Sequence, residues 1–101
     1  MAEINIEQLR NAAGEATALL RTLAHEDRLL LLCQLSQGEL CVSDLELELG
    51  IYQPSLSQQL GVLRRQGLVA TRREGKNIYY RVVDEKTLAV LQTLYELFCG
   101  K

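Results

Sequence analysis

The sequence has no tryptophan, one proline, one histidine and no long apolar run. Each shortage closes off a class of protein. The longest apolar stretches are Leu29-Leu30-Leu31-Leu32-Cys33 and Leu88-Ala89-Val90-Leu91. Both fall far short of the ~20 residues that a membrane span requires, so no membrane is expected among the partners. The start, Met1-Ala2-Glu3-Ile4-Asn5, has neither the basic residues nor the apolar stretch of a secretion signal. The expected location is therefore the cytoplasm, where thiols stay mostly reduced. With His25 alone and no nucleophile–base pair suggested by spacing, nothing points to an enzyme, and no cofactor is expected. Repeats, low-complexity tracts and linkers are absent too. The 101 residues fit one domain spanning 1–101. Their 48% hydrophobic and 24% charged content is that of an ordinary folded chain. So short a chain leaves much of its surface exposed, and burial in a dimer would help it.

Net positive charge is lacking as well, the formal total being −2. Taken whole, that argues against a nucleic-acid partner. The distribution argues the other way. Residues 53–82 carry Arg64, Arg65, Arg72, Arg73, Lys76 and Arg81 against one acid, Glu74, a local net of +5. Residues 1–52 hold nine acids and three bases, and residues 83–101 three acids and two bases. A basic block set in an acidic chain is a local electrostatic footprint for DNA, although on charge alone a solvated face would look the same.

What is present is mostly helical periodicity. Ile6, Leu9, Ala13, Ala16, Leu19, Leu20 and Leu23 recur at three- and four-residue steps, predicting a helix over about 5–23. Asp27 is the expected N-cap of a second helix carrying Leu29, Leu30, Leu32, Cys33 and Leu35, which Gly38 ends. Being apolar on several sides, that helix belongs at the centre. Ser43-Asp44-Leu45-Glu46 fits the capping-box pattern and predicts a short third helix starting at Ser43 and closed by Gly50. Pro54 suits the first position of a fourth helix, where its missing N–H costs nothing. Leu56, Leu60 and Leu63 form that helix's buried stripe, and Gly67 stops it. Two runs rich in β-formers, 68–73 and 77–82, flank Glu74-Gly75-Lys76 and predict a hairpin. Asp84 caps a last helix with a stripe of Leu88, Leu91, Leu94, Tyr95 and Phe98.

The predicted class is thus mainly α with a small β-hairpin, in the order α-α-α-α-β-β-α. A short helix, a tight turn and a second helix at about 43–66 make a helix-turn-helix, and the basic hairpin at about 68–82 makes it a winged one. The second helix of such a pair can enter the major groove. There Gln can pair with adenine and Ser with several base edges, while Arg and Lys meet phosphates. The candidate DNA contacts are Gln53, Ser55, Ser57, Gln58, Gln59, Arg64, Arg65, Arg72, Arg73, Lys76 and Asn77. Gly61 would let the helix backbone approach closely. Any one Gln or Ser alone is equally a plain solvated residue; the wing, the charge block and the Pro-started helix together favour DNA.

Four segments, in order, resemble the ArsR/SmtB family of winged-helix repressors: Leu23-Ala24-His25-Glu26-Asp27-Arg28-Leu29, Glu39-Leu40-Cys41-Val42-Ser43-Asp44-Leu45, Gln53 to Leu60 with Leu63 to Val69, and Arg73 to Tyr80. The resemblance implies a homodimer built mainly by the first and last helices, about 5–23 and 85–99, bound to near-palindromic double-stranded operator DNA and released by an inducer. Many members have a His within the pair occupied here by Gln58 and Gln59.

The family's metal sites fit poorly. The last helix lacks the His that pairs with Asp across two subunits. The Cys-Val-Cys box has Ser43 as its second member, and a neutral hydroxyl is a poor ligand for soft metals. No metal site is therefore assigned, and His25 is expected to be a structural contact. Cys33 and Cys99, in the contexts Leu31-Leu32-Cys33 and Leu97-Phe98-Cys99, resemble a dithiol subgroup of the family. That likeness implies a redox sensor in which reactive sulfur species or an oxidant link the two thiols. A soft-metal inducer such as arsenite, held by Cys41 with other thiols, is the alternative; otherwise Cys41 is a spectator. A winged helix used only for protein docking is the remaining class.

Overall fold

The computed structural model describes residues 3–100. Its elements follow as α1 (Ile6–Leu23), α2 (Glu26–Leu35), β1 (Leu40–Cys41), α3 (Val42–Leu49), α4 (Ser55–Arg65), β2 (Val69–Glu74), β3 (Asn77–Val82) and α5 (Glu85–Phe98). This is the expected mainly helical winged helix-turn-helix. One element is additional: β1 joins the hairpin to give an antiparallel sheet in the order β1-β3-β2, with Leu40 opposite Tyr80 and Cys41 opposite Tyr79.

The helix starts follow from which side chains can accept from free backbone N–H groups. Asn5 caps α1 by accepting from the Gln8 N–H at 3.1 Å. The cap of α2 is His25, not Asp27: its Nδ1 accepts from the Arg28 N–H at 3.4 Å. Asp27 lies in the first turn of α2, where its carboxylate complements the positive end of the helix dipole. The expected Ser43 capping box also fails. Sheet pairing with Tyr79 holds Cys41 in extended backbone, φ −90° and ψ 171°, so α3 begins directly after it and Ser43 falls inside the first turn. Gly50 ends α3 in the left-handed conformation, φ 69°, which costs glycine little.

The core lies where α2, α3 and α4 meet. Leu31, Leu32 and Leu35 of α2, Leu45 of α3, and Leu56, Leu60 and Leu63 of α4 are all buried, with Leu68, Val69 and Leu91 closing the edges. Each such leucine contributes about 1.5–3 kcal/mol of burial. The predicted central helix and the predicted stripe of the fourth helix are therefore both observed.

α1 and α5 behave differently. Of the α1 stripe only Leu23 is buried and Leu19 partly so; Ile6, Leu9 and Leu20 stand in solvent, Ile6 at 62% exposure. On α5, Leu91 is buried, but Tyr95, Leu97 and Phe98 are exposed, Phe98 at 79%. Both helices have the periodicity of packed elements with no part of their own chain in front of them.

Asp84 caps α5 as expected. Its Oδ2 accepts from the Thr87 N–H at 2.9 Å and from the Thr87 hydroxyl at 2.6 Å, which also satisfies a fully buried Thr. The hydroxyl bond first, and the N–H bond second, hold the Asp84 carboxyl below its usual range. A depressed carboxylate stabilises the fold above its unfolded pKa of about 3.9 and loses that contribution as pH falls through its lower folded value. Asp84→Ala is expected to cost about 0.5–2 kcal/mol at pH 7. In urea unfolding at fixed protein concentration, the gap from wild type should narrow in acid.

Candidate DNA-binding surface and thiol pair

α4 presents its polar side outward because its three leucines point in. Ser57, Gln58, Arg64 and Arg65 are exposed and Ser55 is half-buried. The Arg65 guanidinium folds back over Gly61: a Cβ built there would lie 3.1 Å from Nη1. The missing side chain thus makes room for an arginine head. Two expected contacts are engaged within the protein. Gln53 Oε1 accepts from the Ser57 N–H at 3.0 Å and so closes the start of α4, while Gln59 Oε1 accepts from Arg28 Nη1 at 3.1 Å.

The wing turns at Gly75, φ 63°, with Glu74 opposite Asn77. A positive φ at the first of two turn residues is what a tight hairpin takes from glycine. Arg72, Arg73, Lys76 and Asn77 are all exposed, but their charges are not equally free. Arg72 reaches Glu39 at 2.8 Å and Glu74 at 3.2 Å, and lies over the Tyr79 ring at 4.6 Å. Arg81 approaches Glu39 at 4.0 Å. Among the described residues, Arg64, Arg65, Arg73 and Lys76 have no carboxylate within ion-pair distance. The acid Glu39, outside the basic block, is what sequence reasoning missed; its pairing with Arg72 spans 33 residues and leaves no local signal.

Cys33 is half-buried on α2, and Cys99 is exposed at the end of α5. Burial first, and the nearby Cys99 charge second, push the Cys33 thiol up from its ordinary value. An open groove of about 560 Å³ has Cys33 in its wall with Leu30 of α2 and with Leu88, Leu91 and Tyr95 of α5.

Cys41 is buried at the head of α3. Its Sγ donates to Asp44 Oδ2 and lies against the Ser43 hydroxyl, both at 3.2 Å. Among the described residues, no three His, Cys, Asp or Glu side chains form a metal-binding group. No helix among them is long and apolar enough to cross a membrane.

A helix-turn-helix with a basic recognition helix and wing defines a DNA-binding regulator, and the comparisons agree. Residues 25–71 match the arsR family of bacterial regulatory proteins. The chain is 50% identical over 98 residues to the biofilm growth-associated repressor of Agrobacterium fabrum, covering 97% of this chain and 84% of that relative. It is 37% identical over 98 residues to the transcriptional activator HlyU of Vibrio cholerae, covering 97% and 91%. The crystal structure of the repressor BigR from Xylella fastidiosa superposes with a TM-score of 0.91 at 46% identity, covering 97% and 100%. The chain belongs to the arsR family. Its relatives are transcription regulators, and it is a DNA-binding regulator rather than an enzyme.

Proposed function

We propose that this chain is a homodimeric transcriptional repressor that holds double-stranded operator DNA when its thiols are reduced and releases it when Cys33 and Cys99 become linked. The observation that supports the reading is the placement of one cysteine half-buried on the central helix and one exposed at the end of the terminal helix, with Cys33 in the wall of a groove that α2 and α5 both line. The exposed apolar faces of α1 and α5 support a second copy as partner. Two recognition helices then stand about one DNA turn apart, ~34 Å, on a two-fold operator. Ser57, Gln58, Arg64 and Arg65 of α4, with Arg73, Lys76 and Asn77 of the wing, form the outward face toward DNA.

The chemistry balances with a persulfide or polysulfide as oxidant. The exposed Cys99 thiolate attacks the sulfane sulfur, becomes a persulfide, and expels the donor as a thiolate. The Cys33 thiolate then attacks the inner sulfur, and hydrosulfide leaves with its electron pair. The bridge ties α2 to α5. Because α5 also carries the exposed apolar face, strain there shifts the two protomers and the spacing of their recognition helices.

The test is fluorescence anisotropy of the reduced protein on DNA from upstream of its own gene, repeated after polysulfide. Tight binding followed by release supports the reading. Binding that ignores polysulfide but yields to arsenite would transfer the inducer role to a soft metal at Cys41.

A further inference from the structure

Arg28, on the first turn of α2, does three things at once. Its Nε donates to the Thr22 carbonyl at 2.7 Å, its Nη2 to the Arg21 carbonyl at 3.4 Å, and its Nη1 to Gln59 Oε1 at 3.1 Å. The first two bonds complete the end of α1. A helix leaves its last four carbonyls without partners inside the helix. Here the Leu20 and Leu23 carbonyls accept from the Ala24 and His25 N–H groups, and Arg28 takes the two between them. Its positive charge also sits at the negative end of the α1 dipole. The third bond reaches the recognition helix, 31 residues away in sequence.

We propose that Arg28 is a positioning residue for DNA recognition, fixing α4 relative to α1 through the Gln59 amide. Gln59 then acts through this tether and not by reading a base. A bidentate pair with adenine needs the amide to accept at oxygen and donate at nitrogen together. Arginine has only donors, so the bond holds the amide oxygen of the half-buried Gln59 toward α2. α1 is exposed along its apolar stripe and α4 faces DNA, so the tether joins the helix proposed to meet the second copy to the helix proposed to meet the operator. This rests on the DNA-binding reading above, and the two fail separately.

The experiment is a double-mutant cycle of Arg28→Met and Gln59→Met, with Gln59→Glu as the conservative variant, on the same upstream DNA. Each Met variant should weaken binding about tenfold, and the double variant little more than either, the mark of one shared interaction. Gln59→Glu keeps an acceptor for Arg28 and should bind within about threefold of wild type. Base preference on operator variants should be unchanged throughout. Losses that add, a Glu variant no better than Met, or an altered base preference would overturn the tether. Should Arg28→Met fail to fold, the comparison of Met and Glu at position 59 decides alone. Should wild type fail to bind DNA, the DNA reading falls. The tether is then decided by urea unfolding of the Gln59 variants, where Met destabilises and Glu does not if the bond to Arg28 is real.

Discussion

Polysulfide should cut the operator affinity of the wild-type protein by about 5–150-fold, the range spanned by ordinary coupling between two sites, while Cys33→Ser and Cys99→Ser remain bound. Neither substitution touches α4 or the wing, so the reduced affinities should match wild type. Each variant keeps one thiol of the pair, which can still be persulfidated, but lacks the other with which to close the bridge, and Cys41 lies buried at the head of α3. The half-buried position of Cys33 adds a pH signature. Burial and the Cys99 charge raise its pKa, so at neutral pH it is mostly protonated, and a protonated thiol does not attack. Release of wild-type protein should accordingly quicken as pH rises above neutral, as the attacking thiolate becomes more abundant. Anisotropy decay after polysulfide addition, followed across pH, measures it. Release of either Ser variant at the wild-type rate would sink the dithiol mechanism.

The largest effect is expected from salt. Four cations per protomer, Arg64, Arg65, Arg73 and Lys76, have no acidic partner among the described residues. A dimer would present about eight, and counterion release at about eight phosphates gives a log–log slope near −7. Between 50 and 200 mM salt the affinity should fall by about 10³–10⁵. Lys76→Ala should flatten the slope by about two and weaken all DNA sequences alike, since phosphate contacts position without specifying. Arg72→Ala should flatten it less, because Glu39 and Glu74 already neutralise that guanidinium. Titrations at several salt concentrations separate these cases. An affinity indifferent to salt would mean that the winged helix docks on protein instead.

How far the sequence foretold all this depends on distance along the chain. The leucine stripe of α4 and the hairpin around Gly75 are local patterns with one good solution each, and both were legible. Caps were less so. His25 and Asp27 stand two residues apart and both can accept from a free N–H; the extended backbone of His25, φ −154° and ψ 121°, decides between them, and sequence does not display it. The Ser43 box was overridden by sheet pairing between Cys41 and Tyr79, a contact across 38 positions. Arg28 with Gln59 and Arg72 with Glu39 are likewise long-range pairs. Arg72 and Gln59 look like free DNA ligands until the fold supplies their partners. The exposed faces of α1 and α5 are the opposite case. Their stripes promised burial that a single chain does not provide.

The two residues of β1 have a consequence out of proportion to their length. By pairing with β3 and then running straight into α3, they staple the wing to the helix-turn-helix. Recognition helix and wing are thereby tied through one sheet and are expected to act as a single rigid stencil. In the proposed dimer, adjustability is then left to the seam between two copies. One added base pair between half-sites turns the second by about 35° and moves it by ~3.4 Å. A pair of rigid stencils should refuse that operator rather than stretch to it, and the permitted spacing becomes a ruler for the geometry of the seam.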